Sequence, residues 1–215
     1  MKVNEILDII ETMFPNADCE LIHRNAYELL VAVVLSAQTT DVAVNKVTPA
    51  LFEKFPTVND MALATPKEIE PYIQSIGLYR NKAKNLVSLA KSLVESYDGV
   101  VPNTMEDLVK LDGVGRKTAN VILSEWYKIP ALAVDTHVER VSKRLGFVKK
   151  DASVLEVEMT LKKKIKKDRW RKTHHLLIFF GRYHCKALKP DCNHCPLFDV
   201  CKDKKMKSKR KMDIV

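Results

Sequence analysis

Helical phasing recurs along almost the whole chain and constrains the fold more than any other feature. Val3, Ile6, Leu7, Ile10 and Met13 fall on one face, so the first segment is an amphipathic helix. Residues 27–35, YELLVAVVL, form a nearly unbroken apolar run. It reads as a buried central helix, although periodicity alone does not separate it from a buried strand. Residues 42–55 continue in helical phase, with Pro49 expected to kink or divide them. Thr65-Pro66-Lys67-Glu68 combines an N-cap threonine, a first-turn proline and a glutamate three residues after the cap, which marks a helix start. Gly77 reads as a stop, and Asn81 as the cap of a helix with Ala83, Leu86, Val87, Ala90, Leu93, Val94 and Tyr97 inward. A helix pair, 105–111 and 116–127, flanks Gly113-Val114-Gly115; further helices cover 137–144, follow the capping box of Ser153 and Glu156, and cover 173–183. The expectation is an all-α fold of nine or ten helices, with no convincing strand and no internal repeat.

A length of 215 residues, 46% of them hydrophobic, suits one large domain or two compact lobes. The formal net charge of +9 favours a polyanionic partner, most commonly nucleic acid. The bland alternatives are a ribosome-associated protein or a merely basic one. The first fourteen residues carry Glu5, Asp8 and Glu11 at helical spacing and lack a signal peptide's apolar core. No stretch approaches the ~18–20 apolar residues that span a membrane, so a cytoplasmic monomer with reduced cysteines is expected. Residues 202–211 hold seven basic residues against one aspartate, a local net of +6. Residues 202–215 therefore read as a solvated basic tail, with phosphate contact as the alternative.

Two glycines mark the first chemical motif. In Leu111-Asp112-Gly113-Val114-Gly115-Arg116-Lys117-Thr118-Ala119 one helix ends, the chain turns, and another begins. Glycine permits φ > 0 and removes the side chain that would keep a phosphate away. The amides of such a turn and of the following helix bind phosphate, aided by the helix dipole. Val114 is expected to anchor the tip. The bland reading is a plain αα-corner. Lys117 lies in the first turn of the second helix, where Arg116, the dipole and partial desolvation favour the neutral amine that imine chemistry needs. A phosphate-contacting lysine is the equal alternative.

Four of the five cysteines lie together: Cys185, Cys192, Cys195 and Cys201, spaced C-x6-C-x2-C-x5-C. Four thiolates hold either a tetrahedral zinc or a [4Fe–4S] cubane. Structural zinc usually takes two close pairs; here only Cys192 and Cys195 form one, and the wider loops suit the larger cluster. Lys186, Lys189 and Pro190 lie among these ligands, so the loop could present lysines to DNA, with the metal structural. Asp135, just before a helix in Val134-Asp135-Thr136-His137, reads first as an N-cap. The same position favours a carboxylate form that could steady positive charge on a sugar or help deprotonate an amine.

Taken together, Ser36-Ala37-Gln38-Thr39-Thr40-Asp41, the LDGVGRKTAN hairpin, Val134-Asp135-Thr136-His137 and the cysteine spacing resemble the endonuclease III family, over about residues 3–211. That family comprises bifunctional base-excision glycosylases of the helix-hairpin-helix superfamily. The resemblance implies a six-helix bundle lobe, 19–129, with the helix-hairpin-helix at about 105–127. It implies a second helical lobe from 1–18 and 130–211, whose loop 185–201 carries [4Fe–4S]. Duplex DNA with a damaged base or abasic site is the implied partner. Lys117 matches the family's nucleophile and Asp135 its essential carboxylate. Gln38 matches the residue that fills the gap left by a flipped base, and Leu78 an intercalating wedge. Gly113, Val114, Gly115 and Arg116 match the phosphate-holding hairpin, and Asp41 and His137 match positions near the pocket. The implied reaction removes oxidised or ring-saturated pyrimidines and cuts the strand by β-elimination.

Three rivals are weaker. A mismatch-specific adenine or thymine glycosylase shares the hairpin and cluster, but adenine glycosylases usually lack the hairpin lysine and carry an extra C-terminal domain; here only 14 residues follow Cys201. A non-catalytic iron–sulfur redox sensor has no need of Lys117 and Asp135 together. Ferredoxin-like carriers are small and acidic.

Overall fold

The computed structural model describes residues 1–203, and every regular element among them is helical. The order is α1 (Val3–Met13), α2 (Ala26–Leu35), α3 (Asp41–Lys54), α4 (Val58–Leu63), α5 (Pro66–Ile73), α6 (Tyr79–Tyr97), α7 (Met105–Leu108), α8 (Arg116–Glu125), α9 (Thr136–Arg144), α10 (Val154–Lys164), a 3₁₀ turn (Lys167–Arg169), α11 (Trp170–Phe179) and a π-helical turn (Phe180–His184). The all-α expectation holds. No described helix is long and apolar enough to cross a membrane. Apart from Lys202 and Asp203, the basic stretch 202–215 lies outside the described residues.

The chain divides into two compact units: Glu20–Ile129, and Met1–Cys19 together with the chain from Pro130 onward. In the first, α2 is the central post. Its residues 27–35 are all buried, as an apolar helix without a polar face must be. Its N-terminus is closed by polar chemistry: Asn25 accepts from the Glu28 amide (2.9 Å), and the buried Glu28 carboxylate pairs with Arg24. α4 and α5 pack on α6, and α3 and α8 pack on α2.

The second unit packs Ile6, Leu7 and Ile10 of α1 against Val138 and Val141 of α9, Val157 and Leu161 of α10, and Leu176, Leu177 and Phe180. Leu197, from the segment holding the cysteines, is fully buried in the same core. Gly181 lets the π-helical turn lie close on α9. A Cβ there would sit 3.0 Å from the His137 Cβ and 3.1 Å from Val141.

Several local expectations change. Pro49 does not divide α3, because it lies on the exposed side, where water reaches the carbonyl its missing N–H leaves free. α6 begins at Tyr79, not after Asn81; its N-cap is Leu78, in the left-handed region at φ 58°. α7 is a single turn ending at Leu108, not a helix to 111. The short α4, opened by a capping box of Thr57 and Asp60, escaped the periodicity reading because six residues show too little phase. The last long helix begins at Trp170, not at 173.

Candidate active site and cysteine loop

The glycine hairpin lies in the Glu20–Ile129 unit, and its two glycines serve different ends. Gly113 sits at φ +79°, where a side chain is strained, and a Cβ there would meet Asn85 at 3.3 Å and Val34 at 3.4 Å. The fold itself requires this glycine, because the turn is pressed against α6 and α2. Gly115 is the N-cap of α8 with an extended backbone (φ −92°), and a Cβ there meets nothing within 4 Å. A serine or aspartate would fit and would cap the helix. No side chain caps α8 at this position, so its first-turn amides are left to another acceptor. Val114 between them is buried, and its amide donates to Leu111 O (3.0 Å).

Arg116 and Lys117 follow, both exposed, and Thr118 and Ala119 turn inward. The partial desolvation expected at Lys117 is absent from the protein surface as folded; any desolvation must come from what binds there.

Gln38 and Leu78 are also exposed, and both hold left-handed backbones without being glycine, at φ 55° and 58°. Such conformations cost about 1–3 kcal/mol each and concentrate at functional sites. Asp41 starts α3, directly after the N-cap Thr40, whose hydroxyl accepts from the Ala43 amide (3.2 Å). A residue the sequence reading passed over ties this surface together. Lys82 of α6 is 4% exposed, and its Nζ donates to Leu35 O (2.9 Å) and Thr39 Oγ1 (2.7 Å), on either side of Ser36, Ala37 and Gln38.

The other unit holds Asp135, His137 and the four clustered cysteines. Asp135 caps α9: its Oδ1 accepts from the Val138 amide at 2.8 Å, and the side chain stays half-exposed. Two residues on, burial pushes the half-buried His137 imidazole below its ordinary pKa, Asp135 opposing this in part. Arg140 Nη2 lies 3.2 Å from its Nδ1.

Two arginines of α9, which nothing in the local sequence marked, fasten the cysteine segment. Arg140 donates to Gly181 O (2.8 Å) and Cys185 O (3.3 Å). Arg144 donates to Cys185 O (3.3 Å), Lys186 O (2.7 Å) and Ala187 O (3.2 Å), and its Nη1 also reaches Cys185 Sγ at 3.4 Å. The Lys202 amide and the Cys201 thiol both donate to Arg144 O, at 2.7 and 3.5 Å. The loop is thus closed at both ends on one residue. Burial pushes the Cys185, Cys192 and Cys195 thiols upward, Cys195 to about 11. Each of these thiols also feels its neighbours as like charges. Thiols that resist ionising side by side are the kind of donor that a bound cation would favour in the thiolate form. Among the described residues, no three of these sulfurs lie within 4.8 Å of one another. Lys186 and Lys189 are exposed on the loop, and Lys189 takes a left-handed backbone (φ 52°) directly before Pro190.

Comparison with known proteins identifies the family. Residues 31–167 match the family described as HhH-GPD superfamily base excision DNA repair protein. Endonuclease III of Bacillus subtilis (strain 168) is 55% identical over 209 residues, covering 97% of this chain and 95% of the relative. Endonuclease III of Escherichia coli (strain K12) is 41% identical over 200 residues, covering 93% and 94%. A solved endonuclease III, trapped as a covalent intermediate with DNA in an estranged-adenine complex, superposes with a TM-score of 0.93 at 56% identity, covering 97% of each chain. The chain therefore belongs to the HhH-GPD superfamily of base-excision DNA repair proteins, and within it to the endonuclease III glycosylase/lyases.

Proposed function

We propose that this protein removes oxidised or ring-saturated pyrimidines from duplex DNA and cuts the resulting abasic strand, with Lys117 as nucleophile, Asp135 as its chemical partner and a structural [4Fe–4S] cluster on Cys185, Cys192, Cys195 and Cys201. One observation carries the reading: an exposed lysine stands in the first turn of α8, directly after an uncapped, unobstructed Gly115. A phosphate received by those amides brings the neighbouring sugar to Lys117. The trapped covalent state of the solved relative is the class of species such an attack forms.

The steps balance without an external oxidant or reductant. The neutral Lys117 amine attacks C1′ of the flipped nucleotide, and the bond from C1′ to the base breaks. The base leaves with the electron pair and gains a proton. The amine's proton passes to the opening ring oxygen, with the Asp135 carboxylate as relay, and a C1′ imine results. Loss of a C2′ proton then expels the 3′ phosphate by β-elimination. Water hydrolyses the imine and returns the free amine. Asp135 also steadies positive charge as it builds on the sugar. Its bond from the Val138 amide fixes the carboxylate's direction.

Gln38 and Leu78 are read as the groups that enter the duplex. Exposed side chains on strained backbones, held by buried neighbours, support that role. Gly113, Val114, Gly115 and Arg116 are read as holding the phosphate, and Asp41 and His137, each in its own unit, as the residues that match the family's positions near the flipped base. Structural zinc usually takes two close pairs of ligands, and only Cys192 and Cys195 form one, so the wider loops suit the larger cluster better. When bound, the cluster supplies a cross-link for loop 185–201 and no step of the reaction. Lys186 and Lys189 then face DNA from that loop. With DNA as substrate, the protein works in the cytoplasm, at the nucleoid.

The test is borohydride trapping on a duplex containing thymine glycol. A covalent adduct is expected, and it vanishes in Lys117→Gln. No adduct on any oxidised-pyrimidine or abasic duplex would sink the bifunctional reading. Asp135→Asn should bind DNA and fail to release base; near-normal turnover would reduce Asp135 to a cap. Purified protein should be yellow-brown and hold iron, and an active, colourless, zinc-loaded protein would overturn the cluster assignment.

A further inference from the structure

Four residues of α6 and its N-cap lie along one helix face at spacings of four, three and three: Leu78, Lys82, Asn85 and Ser88. Each serves a different surface segment of the Glu20–Ile129 unit. Leu78 is itself the exposed wedge. Lys82 holds the residues on either side of Ser36-Ala37-Gln38. Asn85 packs where Gly113 leaves no room for a side chain. The Ser88 hydroxyl donates to the Asp112 carboxylate at the base of the hairpin.

Lys82 is the anomalous member. Its ammonium is buried, and its partners are a carbonyl and a hydroxyl; no carboxylate pairs with it among the described residues. Burial accordingly draws its pKa below the ordinary lysine value. A buried charge with no carboxylate beside it carries a desolvation cost that an apolar residue of similar length would not. The geometry of what it holds gives it a purpose. Leu35 is the last residue of α2, so its carbonyl lacks a helical partner. Thr39 directly follows the left-handed Gln38. The Lys82 amide, in turn, donates to Leu78 O (3.0 Å), the first bond after the left-handed Leu78. One residue therefore grips both strained segments, one through its side chain and the other through its backbone.

We propose that Lys82 is a positioning residue that fixes the Gln38 and Leu78 segments to each other, so that they enter the duplex as one rigid pair and open a stacked base. The proposal rests on the insertion roles given to Gln38 and Leu78 above. Lys82 touches neither substrate nor the reacting atoms.

The test compares Lys82→Met with wild type in three single-turnover measurements. Base release from a thymine-glycol duplex should fall about 10- to 100-fold, the cost of a small misplacement, while cleavage of a single-stranded abasic oligonucleotide stays within about threefold. The fluorescence rise of 2-aminopurine placed beside the lesion, which reports unstacking, should shrink in proportion to base release. Thr39→Val should show a smaller loss of the same pattern, and Thr39→Ser should restore wild-type behaviour. Gln38→Ala and Leu78→Ala in the otherwise unaltered protein separate the two readings. If neither slows base release from duplex, the insertion roles fail. If they do, and Lys82→Met and Thr39→Val leave base release and fluorescence unchanged, the positioning role fails. Equal losses on duplex and single strand that follow a lowered melting temperature would make Lys82 a stabilising residue only, and would also overturn the proposal.

Discussion

The hairpin and the cysteine loop are both irregular surface segments, yet they hold their shapes by different means. The hairpin is shaped by backbone and packing. Gly113 supplies the left-handed turn, Val114 plugs inward, and α2 and α6 press from behind. Its shape needs no ligand. The cysteine loop has one buried anchor, Leu197, and a set of arginine-to-carbonyl bonds centred on Arg144. Burial and like-charge neighbours hold the Cys185, Cys192 and Cys195 thiols above their ordinary pKa. The hairpin is shaped before any partner arrives, whereas the proposed cluster would complete the cysteine loop.

Four substitutions press on that contrast, in order of decreasing effect on stability. Cys192→Ser should remove the cluster and cost the loop at least about 3 kcal/mol of local stability. Hydrogen exchange should then show amides of 185–201 losing protection while those of 111–119 keep theirs. Equal loss in both segments would break the contrast. Leu197→Ala should cost about 2–5 kcal/mol by leaving a cavity under the same loop, and should speed iron loss to a chelator. Iron retention at the wild-type rate would mean that the arginines alone hold the loop. Gly113→Ala should destabilise by about 1–3 kcal/mol, read by urea unfolding, since it strains the turn and crowds Asn85. Gly115→Ser should leave folding within about 1 kcal/mol of wild type, in the stabilising direction, because the hydroxyl can cap α8. Its DNA affinity should fall about tenfold through lost amide-to-phosphate bonding. A Gly115→Ser protein that binds DNA normally would remove the phosphate role from those amides.

Local chemistry was legible in the sequence, and long-range ties were not. The capping boxes of Thr65 with Glu68 and Ser153 with Glu156 are written in four residues each, and both are formed. The apolar run 27–35 had to be buried, and it is. The start of α6 was misjudged because Asn81 is a good cap by type, while the true cap, Leu78, is an unusual one in an unusual conformation. The burial of Lys82 was hidden for a related reason. A lysine beside Ala83 in a helical pattern reads as solvated, and only the fold brings Leu35 O and Thr39 to it. Arg144 likewise sits 41 residues before the cysteine it contacts, and no spacing rule links them. Candidate chemistry at Lys117, Asp135 and the four cysteines was visible because residue type and neighbours carried it. What holds those groups in place depends on contacts that no short window contains.

The open space at Gly115 also has a consequence for a mutant library. A screen that selects only for folded, soluble protein should accept most small residues there and reject nearly all at Gly113. A screen that selects for survival under oxidative DNA damage should reject changes at both. The gap between the two screens at one position measures how much of a glycine's necessity is imposed by the other molecule.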